Sequence, residues 1–259
     1  SSWPPPLVQM QVHACNTCKY ILAPRMGVKE GVGDDPRPLL GLAFLRTARW
    51  YRGMGGDDIP SPIDFHDPVQ ALAWEADAVA RRPDRPRFFA AMAGELKARL
   101  RPGGTVLEVG SGPGHLAEHL LSACEIGSYT PLDFSPAMHD IARVRLAPHA
   151  ARVTFVARDF RHSDWARGLA PFDAIVTQQA VHEVRHVQRI PRLLSQLRQR
   201  LSSNGVLLYC DHYLRAGDGK NAALHPTREA QRAFLASAGF GVVEQVLDAG
   251  GMALYVAVV

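Results

Sequence analysis

From about residue 105 to its end, the chain alternates short apolar runs with stretches of helical periodicity. Short apolar runs bounded by turn residues are typical of buried strands, whereas apolar residues spaced three and four apart indicate helices. The predicted strands are TVLEV (105–109), SYTPLD (128–133), RVTFVA (152–157), FDAIVT (172–177), GVLLYCD (205–211), GVVEQVL (241–247) and MALYVAVV (252–259). Repeated strand–helix units need right-handed crossovers, so the pattern predicts a parallel sheet with helices on both faces.

Only the four residues DAGG (248–251) join the last two predicted strands, which is typical of a β-hairpin. The last strand is therefore expected to run antiparallel to its neighbour. The predicted fold class is α/β, a Rossmann-like, doubly wound sheet of seven strands, mostly parallel with an antiparallel strand in the C-terminal hairpin. Ligands of such sheets bind at the carboxyl ends of the strands, near the point where the strand order reverses.

The chain divides into three predicted parts. Residues 1–60 lack periodicity and are rich in Pro and Gly, which predicts a weakly ordered N-terminal arm. Residues 61–84 predict a helical lid or cap segment, because DPVQALAWEADAVARR has an Asp cap, a Pro at the first helical position and a helical apolar pattern. Residues 85–259 form the ligand-binding domain. Its first helix carries one predicted apolar stripe, formed by Phe89, Met92, Leu96 and Leu100.

Charge and hydropathy argue against several classes of partner. The formal net charge is +4, too mild to favour nucleic acid. The five arginines between Arg185 and Arg200 are predicted on the solvent face of a helix. No apolar run approaches the roughly 20 residues that span a bilayer, and the first residues lack the layout of a secretory signal. We therefore expect a cytoplasmic monomer or homodimer that binds neither nucleic acid nor membrane.

The four cysteines give no strong sign of a metal site. Cys15 and Cys18 form one CxxC near His13, but a structural zinc site needs a second ligand pair at a suitable spacing. We interpret these two as ordinary reduced thiols. Cys124 at a helix end and Cys210 within a strand are predicted to be small core residues.

The stretch VLEVGSGPGHLAEHL (106–120) places three alternating glycines between a strand and a helix. Glycines permit positive φ angles and a close approach of the backbone to a ligand. Gly112, Gly114 and Ala117 fit the dinucleotide pattern G-x-G-x-x-A, so an NAD-linked oxidoreductase is one hypothesis. Glu108, however, lies two residues before the first glycine, where a negative charge would repel pyrophosphate. That charge favours a ligand with an amino group and no phosphate.

The segment LEVGSGPGH resembles the first motif of the class I S-adenosylmethionine-dependent methyltransferases, and the series from about residue 85 to 259 resembles their fold. TPLDFSP, ARDF and FDAIVTQQAVHE resemble further motifs of that family, in the same order. The resemblance implies S-adenosyl-L-methionine as cofactor, with Asp133 on its ribose and Asp159 on its adenine. The candidate cofactor-binding residues are Glu108, Gly110, Ser111, Gly112, Gly114, Asp133, Phe134, Met138, Asp159, Phe160 and Gln178.

Catalytic groups are expected in the loops after the fourth and fifth strands. Methyl transfer is an in-line displacement, for which a protein mainly supplies alignment and a desolvated pocket. His182 is the first candidate, as a general base or as a group that orients the acceptor, and Glu183 and Asp211 are the others. A structural role for His182, capping a helix or bonding a backbone carbonyl, stays open. The spacing of His182 and His186 fits a metal pair, but the carboxylate pattern of metal-dependent relatives is missing, so no metal is expected.

Missing motifs narrow the acceptor. The chain has no N/D-P-P-Y/F after the fourth strand, as adenine-N6 and glutamine methyltransferases have, and no Pro-Cys as in cytosine-C5 enzymes. The resemblance is closest to the small-molecule, quinone-biosynthesis-like group, which implies methyl transfer to oxygen, nitrogen or carbon. In that group a lid precedes the first motif, and Phe65, His66 and Trp74 are its candidates here. A catalytically silent, cofactor-binding relative is a third hypothesis.

Overall fold

The structure is a computed structural model that describes residues 58–78, 80–215, 217 and 219–259. Residues 1–57 of the predicted arm, with Cys15 and Cys18, lie outside the described residues. Within them the α-helices are α1 (Pro68–Ala78), α2 (Arg85–Arg99), α3 (His115–Ala123), α4 (Pro136–Arg145), α5 (Ile190–Gln199) and α6 (Arg228–Ser237). None of the helices in these ranges has the length and apolar character that crossing a bilayer requires.

The described strands form one seven-stranded sheet in the order β3-β2-β1-β4-β5-β7-β6. They are β1 (Gly104–Val109), β2 (Ile126–Asp133), β3 (Val156–Ala157), β4 (Phe172–Gln178), β5 (Leu201–His212), β6 (Val242–Ala249) and β7 (Met252–Val258). Strands β1 to β5 pair in parallel, whereas β7 runs antiparallel to both β5 and β6. The predicted fold class is confirmed, and the strand order reverses between β1 and β4.

Two hydrophobic clusters cover the two faces of the sheet. Leu107 of β1 packs in the cluster that contains α5 and α6. Its neighbour Val106 packs in the cluster that contains α2 and α3. Adjacent strand residues point to opposite faces, so a central strand covered on both faces must be apolar at nearly every position. The two predicted core cysteines are both buried, Cys124 at the end of α3 and Cys210 in β5.

Three details differ from the sequence-based expectations. Strand β3 is only two residues long: a 3₁₀-helix over residues 147–152 includes the first predicted strand residue, and Val153 makes only an isolated bridge to Tyr129. Strand β7 lies between β5 and β6, an insertion that the hairpin pattern alone did not indicate. In α2, Phe88 rather than Phe89 is fully buried in the core. The hairpin turn itself is as expected, with positive φ angles at Gly250 and Gly251.

The packing of α2 on the sheet generates a stability prediction. Leu96 is fully buried, so Leu96→Ala should lower the free energy of unfolding by about 2–5 kcal/mol. Leu72 on α1 is 56% exposed, and Leu72→Ala should change it by no more than about 0.5 kcal/mol. Urea unfolding followed by circular dichroism measures both. Equal losses in the two variants would contradict the assigned packing of α2.

Candidate functional site

A cleft opens at the carboxyl ends of β1, β2 and β4, where the strand order reverses. Its empty volume is about 850 Å³, part of it open to solvent, which is in the range of small-molecule sites. The predicted site residues that line it are Glu108, Gly110, Ser111, Gly112, Asp133, Phe134, Met138, Phe160, Gln178, His182 and Glu183. Gly114, Asp159 and Asp211 do not line this cleft.

The three glycines of the loop after β1 have different roles. Each has a positive φ, +71° at Gly110, +52° at Gly112 and +83° at Gly114. A Cβ atom on Gly110 would lie 2.3 Å from the Cβ of Ala180, and one on Gly114 would lie 3.2 Å from the Cβ of Ala142. A Cβ on Gly112 would meet no atom within 4 Å. Gly110 and Gly114 therefore allow close packing, whereas Gly112 leaves space at the wall of the cleft.

The carboxylate of Asp133, at the end of β2, fixes this loop in place. Its Oδ2 accepts a hydrogen bond from the Gly112 amide at 2.8 Å, and its Oδ1 accepts one from the Ser135 amide at 2.9 Å. Burial raises the pKa of Asp133, and the amide hydrogen bonds oppose this change. Each carboxylate oxygen keeps a further lone pair for a ligand. Ser135 caps α4 as predicted, accepting from the Met138 amide at 3.0 Å.

Glu108 is buried beneath the loop and is 2% exposed. The Tyr129 hydroxyl donates a hydrogen bond to its Oε2 at 2.9 Å. Burial raises the pKa of Glu108 to about 8, so the carboxyl is mostly protonated at neutral pH. The predicted negative charge at the loop entrance is therefore wrong for the protein without a ligand, because desolvation outweighs the Tyr129 hydrogen bond. A cationic ligand group beside Glu108 would favour its ionised form.

Buried polar atoms without a partner lie on the cleft wall. Within the described residues they include the Ser111 hydroxyl and both polar atoms of the Gln178 amide. A buried polar group that makes no hydrogen bond is costly, so such atoms mark a place for a ligand. Donors and acceptors here, with the apolar side chains of Phe134, Met138 and Phe160, fit a nucleoside that carries an amino-acid chain. The residues present therefore fit S-adenosylmethionine.

His182, in a 3₁₀ turn after β4, is held between two carboxylates. Its Nδ1 lies 2.8 Å from Asp211 Oδ1, its backbone amide donates to Asp211 Oδ2, and its Nε2 lies 3.3 Å from Glu183 Oε1. Burial lowers the pKa of His182, but the two carboxylates outweigh it and raise the pKa to about 10. Burial raises the pKa of Asp211, but the charge of His182 outweighs it and lowers the pKa to about 2.

This geometry bears on the alternatives for His182. The ring bonds two carboxylates rather than a backbone carbonyl, and at neutral pH it is an imidazolium. An imidazolium has no lone pair to take a proton, so the geometry supports an orienting role over that of a general base. The pKa of Glu183 is raised by burial but lowered more by its bonds from His182 and Arg185, so Glu183 is ionised.

Gln179 connects this wall to α2. Its backbone is left-handed, with φ 54°, and such strain in a residue other than glycine clusters at functional sites. The side-chain Oε1 accepts from Arg85 Nε, and the amide nitrogen lies 2.9 Å from His212 Nε2. Burial lowers the pKa of His212 to about 4, so this imidazole is neutral. In the described ranges no group of three or more His, Cys, Asp or Glu side chains is arranged to hold a metal.

The structure separates Asp159 from the cleft. Both of its carboxylate oxygens accept hydrogen bonds from Arg161, at 2.6–3.0 Å, and Asp159 lines two adjoining pockets instead. Of the predicted lid residues, Phe65 and Trp74 line the cleft, whereas His66 lies in the adjoining pockets. Glu75 joins α1 to the glycine loop, since it pairs with Arg145, and Arg145 donates to the Pro113 carbonyl.

The prediction that all five arginines from 185 to 200 face solvent is wrong for Arg185, which is only 5% exposed. Its guanidinium donates to the carbonyls of Ile59 and Pro60, each at 2.7 Å, and to Glu183 Oε2 at 3.0 Å. These partners satisfy the buried cation. Arg185 therefore ties the segment before the lid to the wall that carries His182.

Sequence reasoning missed several residues of the cleft. They include Arg82, Arg85, Phe89 and His115. Arg82 lies between α1 and α2, and Arg85 is the first residue of α2. Their spacing by three residues was the only local sign in the sequence that they could face the same site.

A family model described as a methyltransferase domain matches residues 81–245, which is more than half of the chain. No curated protein sequence matches the chain significantly. Among solved structures, an O-methyltransferase family protein from Burkholderia thailandensis is 17% identical with a TM-score of 0.62, and the match covers 85% of this chain and 70% of that one. The CurJ carbon methyltransferase is 17% identical with a TM-score of 0.60, covering 74% of this chain and 61% of that one.

A solved DhpI–SAH complex is 20% identical with a TM-score of 0.55, and the match covers 73% of this chain and 91% of that one. At such identities these likenesses concern the fold. They agree with the order and directions of the strands described above.

Different roles for the loop glycines predict different effects of alanine. Gly110→Ala forces both a left-handed alanine and a clash with Ala180, and should lower the free energy of unfolding by at least about 3 kcal/mol. Gly112→Ala meets no atom and should lower it by only about 1–2 kcal/mol. Chemical denaturation of both variants checks this difference. If Gly112→Ala is the less stable of the two, the assigned loop geometry is incorrect.

The carboxylate beside His182 should control the charge of the imidazole. In Asp211→Asn the pKa of His182 should fall by about one to three units, because an adjacent negative charge is lost. NMR titration of the histidine ring signals measures this, with Asp140→Asn as control because Asp140 is 76% exposed on α4. In the native protein His182 should keep its proton through pH 8. A His182 signal that titrates near pH 6.5 in the native protein would contradict the described network.

Proposed function

Since the chain belongs to the methyltransferase domain family, we propose that it methylates an oxygen, nitrogen or carbon atom of a small-molecule acceptor. It is an S-adenosyl-L-methionine-dependent enzyme. The observation that carries the proposal is the two-sided cleft at the strand-order reversal. One side has the glycine loop, Asp133 and unpaired polar atoms, and the other has the ion-paired His182 and Glu183.

We assign cofactor binding to the first side. The free lone pairs of Asp133 suit the two ribose hydroxyls, and the backbone of the loop from Gly110 to Gly112 suits close approach. Phe134, Met138 and Phe160 supply apolar surface for adenine. We assign Glu108, Ser111 and Gln178 to the amino-acid part of the cofactor. Gly114 supports the loop through its packing on α4, and contact of Asp159 with adenine stays a prediction.

We assign acceptor orientation to the second side. Bound S-adenosylmethionine supplies an activated methyl group on a sulfonium. Glu183 lines the cleft and is ionised, so it is the group proposed to receive the proton of a hydroxyl or ammonium acceptor. His182 holds Glu183 in place through Nε2, and Asp211 fixes the ring of His182 from behind. Phe65 and Trp74 cover the cleft and help to exclude water.

The other hypotheses differ from this proposal in what they bind or convert. No observation favours the NAD-linked oxidoreductase, whereas the family match supports a methyltransferase. A catalytically silent relative would bind the cofactor and convert no acceptor. The expected cytoplasmic location, the absence of nucleic-acid and membrane partners, and the monomeric or dimeric state stay predictions.

Calorimetric titration with S-adenosylhomocysteine tests the cofactor side. Asp133→Ala removes the two acceptor oxygens assigned to the ribose and should weaken binding by at least about tenfold. Asp140→Ala, an exposed change on α4, should bind like the native protein. Circular dichroism shows whether Asp133→Ala keeps the native fold. Native affinity in Asp133→Ala would contradict the site, and binding of NADH without binding of S-adenosylhomocysteine would contradict the function.

A further inference from the structure

Each acidic group of the cleft has partners within the protein. Glu108 is protonated at neutral pH and bonded by Tyr129. Asp133 accepts hydrogen bonds from two backbone amides. Glu183 is bonded by His182 and Arg185. The charges of Glu108 and Glu183 are thus neutralised, whereas Asp133 is held by amide hydrogen bonds alone.

The two cleft arginines are different, because no carboxylate of the described residues pairs with them. Arg82 and Arg85 are half-buried and line the cleft. Their neighbours Arg81 and Arg87 are exposed and paired, with Asp77 and Asp84 respectively. The unpaired arginines are thus the ones that face the ligand space, and the paired ones face solvent.

The indole ring of Trp74 holds both guanidinium groups. The Arg82 Cζ lies 5.3 Å from the ring centroid and the Arg85 Cζ lies 5.7 Å from it, which is cation–π distance. Burial lowers the pKa of Arg82, and it lowers the pKa of Arg85 to about 10, so both stay charged at neutral pH. A desolvated guanidinium without a counter-ion is costly, and its planar donor fork matches a carboxylate.

The two guanidinium groups share the Trp74 ring, and the charge of Arg82 acts on Arg85. Arg85 donates to Gln179, and its charge also acts on His115 at the start of α3, beside the glycine loop. Gln179 in turn lies 2.9 Å from His212, whose ring centroid is 5.7 Å from that of His182. The charge of Arg82 acts on His212 as well. These contacts connect the arginine pair to the side of the cleft assigned to the acceptor.

We propose that the methyl acceptor is an organic acid with an apolar body, and that Arg82, adjoined by Arg85, binds its carboxylate. The apolar body would lie against the aromatic side chains of Phe65, Trp74 and Phe89, which line the same cleft. The inference rests on the proposed function, since it names the substrate class of that site. A second source of a carboxylate is the amino-acid part of the cofactor, so the experiment separates the two.

The first arm measures binding of three acids and their uncharged amides to protein saturated with S-adenosylhomocysteine. The pairs are 4-hydroxybenzoate and 4-hydroxybenzamide, phenylacetate and phenylacetamide, and octanoate and octanamide. At least one acid should bind about tenfold more tightly than its amide. Arg82→Met should abolish the preference, Arg82→Lys should keep part of it, and the exposed control Arg87→Met should keep all of it. If no acid binds more tightly than its amide, the proposal is wrong.

The second arm compares S-adenosylhomocysteine with 5′-methylthioadenosine, which lacks the amino-acid carboxylate. Arg82→Met should leave the ratio of the two affinities at its native value. A ratio that falls toward one in Arg82→Met would assign Arg82 to the cofactor and overturn the proposal. The acid series is repeated without S-adenosylhomocysteine. Failure of the native protein to bind S-adenosylhomocysteine would then contradict the proposed function, while the acid series would still decide the arginine site.

Discussion

The cleft depends on the hydrogen bond between the Gly112 amide and the carboxylate of Asp133. This bond ties the loop after β1 to the end of β2, and the amides of Gly110 and Ser111 add two bonds to the Leu132 carbonyl. The loop is thereby fixed against the neighbouring strand before any ligand arrives. One carboxylate both shapes the wall of the site and remains open to a ligand, which explains why a short acidic residue is suited to this strand end.

Local patterns predicted the elements that depend on local contacts. The glycine loop, the Ser135 cap and the alternation of strands and helices follow from periodicity and turn chemistry over a few residues. The order in which strands pair depends on contacts between distant segments, so the insertion of β7 was missed. The charge of Glu108 and the burial of Arg185 also depend on distant segments. No pattern within the loop shows that Glu108 is buried in the core and bonded by Tyr129.

The second side of the cleft is a set of fixed charges. Asp211, His182, Glu183 and Arg185 alternate in sign, and each bonds its neighbour. Side chains in such an arrangement need little reorganisation when a substrate binds, which is how proteins usually stabilise developing charge. The family match identifies the type of reaction, and the proposals above assign the orientation and choice of the acceptor to this network and the two arginines.

The position of Arg185 has a thermodynamic consequence for the segment that precedes α1. Its guanidinium shares its donors between Glu183 and the carbonyls of Ile59 and Pro60. If that segment were lifted away, a buried cation would lose two acceptors at once and keep only Glu183. Displacing residues 59–60 and loosening Glu183 are therefore one cooperative event. A ligand that steadies Glu183 would by the same linkage stabilise residues 59–60 in their place.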